Sequence, residues 1–313
     1  MPHENINMSS FEDLVSNRPV VDFVKRLILP NYHDSTQEQQ EEIETIYEKA
    51  FDLLGMCGND RATWTPIMNT IVYDLFRKDD PNVWFRRSYG NYWPSTKGAL
   101  EYVQIMDHIK GNTILDFGCG SGYLALRCKR EGHNVLTTDV VDQRIEQARH
   151  LTFKLMRDRV VIPYPGGAAD TALAFSVLHH LAASDLNKVL SEIRRVCGRA
   201  IIKEDVYGIP LEHDGLSQVV EGDELLLEFA HLPEGDQLKV LTLYDFVDNA
   251  FAQGIPEMNF PFQFNTVEEW RGILADNGFD VVETVLIGFK RTKDWTGTFH
   301  ALFVADCDTG RGV

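Results

Sequence analysis

The chain has 313 residues, 44% of them apolar and 25% charged, an ordinary globular composition that excludes collagen-like, disordered and coiled-coil classes. Lys and Arg number 30 against 47 Asp and Glu, a formal charge of −17 that opposes phosphate backbones and anionic membranes while leaving room for a local basic patch. No apolar run approaches the ~20 residues of a membrane span. The first residues, MPHENINMSSFEDL, lack the basic-then-apolar order of a secretory signal. The five cysteines, 57, 119, 128, 197 and 307, are odd in number and far apart in sequence, which suits free thiols in a reducing cytoplasm rather than a disulfide framework or zinc ribbon.

In chain order, residues 1–95 read as a helical extension. After the capping run Asp34–Glu38, residues Ile43, Ile46, Tyr47, Ala50, Phe51 and Leu54 fall on one helical face. A second helix is expected to start at Thr65-Pro66, where proline suits the first helical position, and to end near Lys78–Pro81. The stretch Trp84–Pro94 is aromatic, basic and broken by Gly90 and Pro94, and reads as a loop. From about residue 96 the pattern alternates: helix 96–109, strand 113–117, helix 121–131, strand 134–138, helix 142–150, strand 152–155, strand 172–177, helix 184–196, strand 199–203. Strands alternating with helices indicate a parallel sheet covered on both faces. The alternation breaks after Asp205, so 206–265 reads as an insertion. Helix 266–277 and strands 279–287 and 298–305 complete the sheet, the last two as an antiparallel edge pair.

The sharpest local signal is Ile114-Leu115-Asp116-Phe117-Gly118-Cys119-Gly120-Ser121-Gly122-Tyr123. Glycines at 118, 120 and 122 allow a tight turn and close approach to a ligand. The helix that follows is expected to present free N–H groups to that ligand. A nicotinamide-nucleotide fingerprint would place its third glycine at position 123, which is Tyr123 here.

The pattern Asp-x-Gly-x-Gly-x-Gly resembles the first motif of the class I S-adenosylmethionine-dependent methyltransferases. Within them the chain is most similar to small-molecule enzymes of the ubiquinone/menaquinone-biosynthesis type. The resemblance covers roughly 96–205 and 266–306. It implies an α/β fold, the Rossmann-like seven-stranded methyltransferase sheet, made of 96–205 and 266–313, with the helical extension 1–95 and a substrate-side insertion 206–265. It implies S-adenosylmethionine as cofactor, held by Asp116, Gly118, Cys119, Gly120, Ser121 and Gly122. Asp139, 21 residues after Gly118, ends the second strand, where a carboxylate can accept both ribose hydroxyls, with Val140 beside it. Asp158 and the Arg159 N–H occupy the positions that in the family meet the adenine. Phe175 and Ser176 precede Leu178-His179-His180-Leu181, which resembles the family's strand end beside the transferable methyl group.

Methyl transfer to a hydroxyl or ammonium needs a base, and histidine suits neutral pH. His179 and His180 are candidates, although one of an adjacent pair must point elsewhere and the second histidine commonly braces the family's fold. Asp205 or Glu204, closing the fifth strand, is placed to orient a substrate amine or hydroxyl. No metal is expected, the alternative being that His179 and His180 bind one together with another histidine or a carboxylate from the insertion. The amide- and adenine-type Asn/Asp-Pro-Pro-Tyr, the Pro-Cys of cytosine-carbon enzymes and a full Lys-Asp-Lys-Glu set of RNA ribose enzymes are all missing. From Val206 to Gln237 eight carboxylates occur without Lys or Arg, either a solvated face or an attraction for an amine-bearing substrate. Tyr89, Tyr92, Trp93, Met258 and Phe264 are candidate contacts to a flat or apolar acceptor.

The expectation is methyl transfer to a small molecule in biosynthesis, with no general nucleic-acid or membrane partner and with a homodimer left open. The alternatives are a protein or RNA methyltransferase, a cofactor-binding enzyme of this fold that transfers no methyl, and a non-enzymatic regulatory partner.

Overall fold

The computed structural model describes residues 11–32, 35–57, 61–80, 82–212, 216, 220, 223–255, 260–287 and 299–307; the side chains of 11, 61, 62 and 87–97 lie outside that description. Among the described residues no helix is long and apolar enough to cross a membrane. The chain divides into two compact units. One comprises 1–93, 207–264 and 288–299, and the other 94–206, 265–287 and 300–313.

The first unit is helical. It contains α1 (Phe11–Ser16), α2 (Arg18–Ile28), α3 (Gln37–Gly55) and α4 (Arg61–Asn69), and from the insertion α8 (Glu224–His231) and α9 (Glu234–Val247). The expected face of α3 is the buried one, through Ile43, Tyr47, Ala50, Phe51 and Leu54. Thr36 and Gln39 close a reciprocal capping box at its start. Helix α4 begins four residues before the expected Thr65. Trp64 and Met68, one turn apart and both buried, hold the turn that precedes Pro66 inside the helix. The expected loop 84–94 is instead the first half of α5 (Trp84–Ile105). Gly and Pro cost a helix about 1 and 3 kcal/mol. Burial of Phe85 near one end and Ile105 at the other outweighs that local preference.

Most of the insertion's carboxylates have work inside this unit. Asp223 caps α8 by accepting from Leu226 N. Glu224, Glu234 and Asp236 lie in first helical turns, where negative charge is favoured. Glu228 takes both guanidinium nitrogens of Arg26, and Asp236 accepts from Asn17. Asp214 and Glu221 lie outside the described residues.

The second unit is the α/β part. Its strands are β1 (Thr113–Phe117), β2 (Asn134–Asp139), β3 (Thr152–Leu155), β4 (Ala169–Phe175), β5 (Cys197–Tyr207), β6 (Asn265–Thr266), β7 (Phe279–Ile287) and β8 (His300–Cys307). The sheet order is β3-β2-β1-β4-β5-β8-β7, with the short β6 also paired to β5. Strands β1 to β5 run parallel, while β8 is antiparallel to both β5 and β7. This is the Rossmann-like order expected for seven strands, with β6 as a short eighth. The antiparallel edge pair is as expected. The residues between its strands, 288–298, lie outside the described residues.

Helices α6 (Tyr123–Arg130), α7 (Ala183–Val196) and α10 (Val267–Asp276) complete the unit. Ile114, Leu124, Ala125, Leu173, Ile201 and Leu302 belong to one buried cluster between α6 and the sheet. The expected helix 142–150 is absent; only a short 3-10 turn, Glu146–Ala148, forms. The Arg144 guanidinium donates to the Ala148 and Leu151 carbonyls and pairs with Asp142, so side-chain bonds replace helical ones there.

Candidate functional site

The order of the sheet reverses between β1 and β4, and in open α/β sheets ligands bind beyond the strand ends at such a point. The glycine turn lies there. Gly118 and Cys119 donate their N–H groups to the Thr138 carbonyl, and Gly120 donates to Asp139 Oδ2 at 2.8 Å. The turn binds itself to the end of β2, because neighbouring parallel strands bring Thr138 and Asp139 beside it. Gly118 has φ +66°, and a Cβ on it would lie 2.4 Å from a Val177 methyl. Gly120 has φ +49°, and a Cβ there would meet nothing within 4 Å. Its bare backbone faces open space, as a cradle for a ligand must.

Asp139 borders that space. Among the described residues its Oδ1 accepts from Val140 and Val141, and its Oδ2 from Gly120. A carboxylate oxygen has two lone pairs, so Oδ2 keeps capacity for one hydroxyl. Burial pushes the Asp139 carboxyl up, and the three backbone donors pull the other way. Asp116, one strand away, is buried and accepts from the Ala125 N–H in the first turn of α6. Burial first, then the charges of Glu101 and Asp139, push its carboxyl up to about 8. Such a group keeps its proton at neutral pH.

A second construction fixes the chain after β4. Glu204 on β5 is fully buried. Its Oε1 accepts from Val177 and Leu178 N–H, and its Oε2 stands 2.6 Å from His179 Nδ1. Ser176 adopts the left-handed region at φ +48°, and its N–H donates to the Lys203 carbonyl. His179 is thus buried with its Nδ1 held against Glu204, whereas His180 is partly exposed. On the other face of β5, Lys203 donates to Glu101 at 2.8 Å and lies over the Phe175 ring. Asp205 faces His300 Nε2 at 3.3 Å, directly across the β5–β8 register.

Glu101 and His300 were not singled out by motif. Each meets its partner across about a hundred residues of chain, and no local spacing marks either.

Asp158 and Arg159 are exposed. Asp158 Oδ1 accepts from Val160 N, closing a turn that borders a cavity of about 510 Å³ lined by Lys154, Leu155, Arg157, Asp158, Val161 and Pro163. Val140 is exposed, Cys119 buried and Phe175 half-buried. Among the expected acceptor contacts, Phe264 is buried in the first unit. Met258 and the side chains of Tyr89, Tyr92 and Trp93 lie outside the described residues.

Residues 115–199, from β1 to the start of β5, match the family described as "Methyltransferase domain". Residues 115–199 are thus a methyltransferase-domain sequence. The cofactor of such a domain is S-adenosylmethionine, and the open Gly120 face and the spare lone pair of Asp139 fit it. Among similar proteins is the ribosomal protein L11 methyltransferase of Paraburkholderia phymatum, 35% identical over 88 residues, 26% of this chain and 28% of the relative. Another is the magnesium-protoporphyrin O-methyltransferase of Rhodobacter capsulatus, 28% identical over 114 residues, 34% of this chain and 50% of the relative. The chain thus spans half or less of the length of these two relatives. A solved SAM-dependent methyltransferase from Methanosarcina mazei aligns with 66% of this chain and 97% of its own, at 16% identity and a TM-score of 0.46.

Proposed function

We propose that the protein transfers a methyl group from S-adenosylmethionine to a small-molecule acceptor with a nucleophilic oxygen, nitrogen or activated carbon, in a cytoplasmic biosynthetic setting. The observation that carries this reading is the Gly120 backbone left open beside the Asp139 carboxylate at the point where the strand order reverses.

The cofactor supplies an electrophilic methyl carbon on a sulfonium centre. The chain supplies position and proton traffic. Asp139 Oδ2 takes a ribose hydroxyl, and the Asp116 carboxylate meets the cationic end of the methionine moiety. Asp158 and the Arg159 N–H serve the adenine. Glu204 and His179 hold the turn after β4, so that Phe175 and Ser176 keep a fixed wall. His180 and the Asp205–His300 pair are the groups able to accept a proton from an acceptor hydroxyl or ammonium. Residues 1–95 and 206–265 select the acceptor. Three partnered or capping carboxylates in the insertion leave less charge for drawing in an amine, so an amine-bearing acceptor is not required.

A protein acceptor is the second reading, favoured by the name of the L11 relative. One experiment separates them. The protein is incubated with methyl-labelled S-adenosylmethionine and a cell extract split at about 3 kDa. Label entering only the small fraction supports the proposal, and label entering only the large fraction overturns it in favour of a macromolecule. Asp139→Ala should weaken S-adenosylhomocysteine binding at least tenfold by calorimetry. Unchanged affinity refutes the ribose assignment.

A further inference from the structure

Cys197 opens β5 directly after α7, and Cys307 closes β8. They are 110 residues apart in sequence, yet their Sγ atoms stand 3.9 Å apart, at van der Waals contact. Both lie at the sheet edge opposite the glycine turn, since β5 starts there and the antiparallel β8 ends there. Both are free thiols and both are buried.

Their surroundings differ from those of the other three cysteines. Arg194 acts on Cys307 directly. The nearby Asp306 carboxylate is engaged by Arg199 at 2.8 Å and by Lys110 at 3.0 Å, so its negative charge is largely offset. An electropositive setting and a thiol donor are what favour a thiolate. The contact with Cys197, and Arg194 beside it, hold the Cys307 thiol below its ordinary value against the opposing effect of burial. The same contact and burial push the Cys197 thiol up, and its Sγ donates to the Ile193 carbonyl at 3.1 Å. Burial pushes Cys57, Cys119 and Cys128 up, and none of them has a second sulfur as partner.

We propose that Cys197 and Cys307 form a peroxide-sensitive dithiol that closes to a disulfide across this edge of the sheet. The Cys307 thiolate attacks one oxygen of hydrogen peroxide. The O–O bond breaks, and its electron pair leaves with the other oxygen, which takes up a proton as water. The Cys197 sulfur then attacks the sulfenic acid on Cys307. The S–O bond breaks, a second water leaves with the Cys197 proton, and the S–S bond forms. Two thiols lose two electrons and two protons, and one peroxide becomes two waters.

The sulfurs must approach from 3.9 Å to about 2.05 Å. Each cysteine is the terminal residue of its strand, where side-chain rotation and a small backbone shift disturb the fewest ladder bonds. The bond would tie together points 110 residues apart and so restrict the unfolded chain strongly.

The test uses the full chain, reduced, desalted and treated with a few equivalents of hydrogen peroxide. Non-reducing peptide mapping should find a Cys197–Cys307 linked peptide. Thiols counted in denaturant should fall from five to three. The melting temperature should rise by about 5 °C, and dithiothreitol should reverse all three changes. In Cys197→Ser, dimedone should trap a sulfenic acid on Cys307, and in Cys307→Ser it should trap none on Cys197. Five persisting thiols, a sulfinic acid on Cys307 with Cys197 untouched, or a bond to another cysteine overturns the proposal. The wild-type map decides the question even where a variant fails to fold.

Discussion

Replacing Gly118 and Gly120 with alanine separates the two demands placed on the glycine turn. Both residues sit at positive φ, +66° and +49°, where a Cβ costs roughly 1–2 kcal/mol. Their surroundings differ. A Cβ on Gly118 would lie 2.4 Å from one Val177 methyl and 3.1 Å from its Cβ. Val177 cannot step aside freely, because its N–H is bonded to the buried Glu204. Overpacking of this kind adds about 1–3 kcal/mol. Gly118→Ala should therefore lose about 2–5 kcal/mol in urea unfolding followed by circular dichroism. A Cβ on Gly120 meets no protein atom within 4 Å. Gly120→Ala should lose only about 1–2 kcal/mol of stability, yet its methyl would enter the open space proposed for the cofactor. Calorimetry with S-adenosylhomocysteine should show at least a tenfold weaker Kd, about 1.4 kcal/mol. Wild-type affinity in Gly120→Ala, or equal stability losses in the two variants, would refute the reasoning.

Two further outcomes are expected. Asp116 is held at about 8 in the folded chain, above its ordinary 3.8, so the unfolded chain releases this proton first and the stability contributed by Asp116 falls as pH rises from about 4 to 8. A cationic ligand favours the carboxylate, so S-adenosylhomocysteine affinity should rise between pH 6 and 7.5, and Asp116→Asn should flatten that rise; an equal slope in the variant sinks the assignment. His179→Ala should cost about 3–5 kcal/mol by leaving Glu204 buried and uncompensated. His180→Ala should cost under about 1 kcal/mol, and the reverse ranking in urea unfolding would count against the brace.

Much of the sheet was legible because its signals are local. The strand 113–117 and its glycines read directly, and β3 and β7 have their expected limits. The capping boxes at Thr36 and Thr266 mark helix starts within four residues of sequence. Local preference misled where tertiary bonds or packing outweighed it. Arg144 drew the carbonyls of 148 and 151 out of a helix, and anchored ends carried α5 through Gly90 and Pro94. The run of carboxylates in 206–237 suggested a charged lid, yet Asp223, Glu228 and Asp236 are spent on caps and partners.

The sequence alone determined the fold class and the cofactor. A strand, three spaced glycines and an acid 21 residues on from Gly118 all lie within one stretch, and their order dictates the turn. The tertiary structure decided which groups are sealed and which are presented. Glu204 enclosing His179, Lys203 meeting Glu101, Asp205 facing His300 and Cys197 touching Cys307 are all products of strand pairing and helix packing. Each joins residues 25 to 110 positions apart, and a spacing rule reaches only the neighbours that one helix turn or one strand supplies.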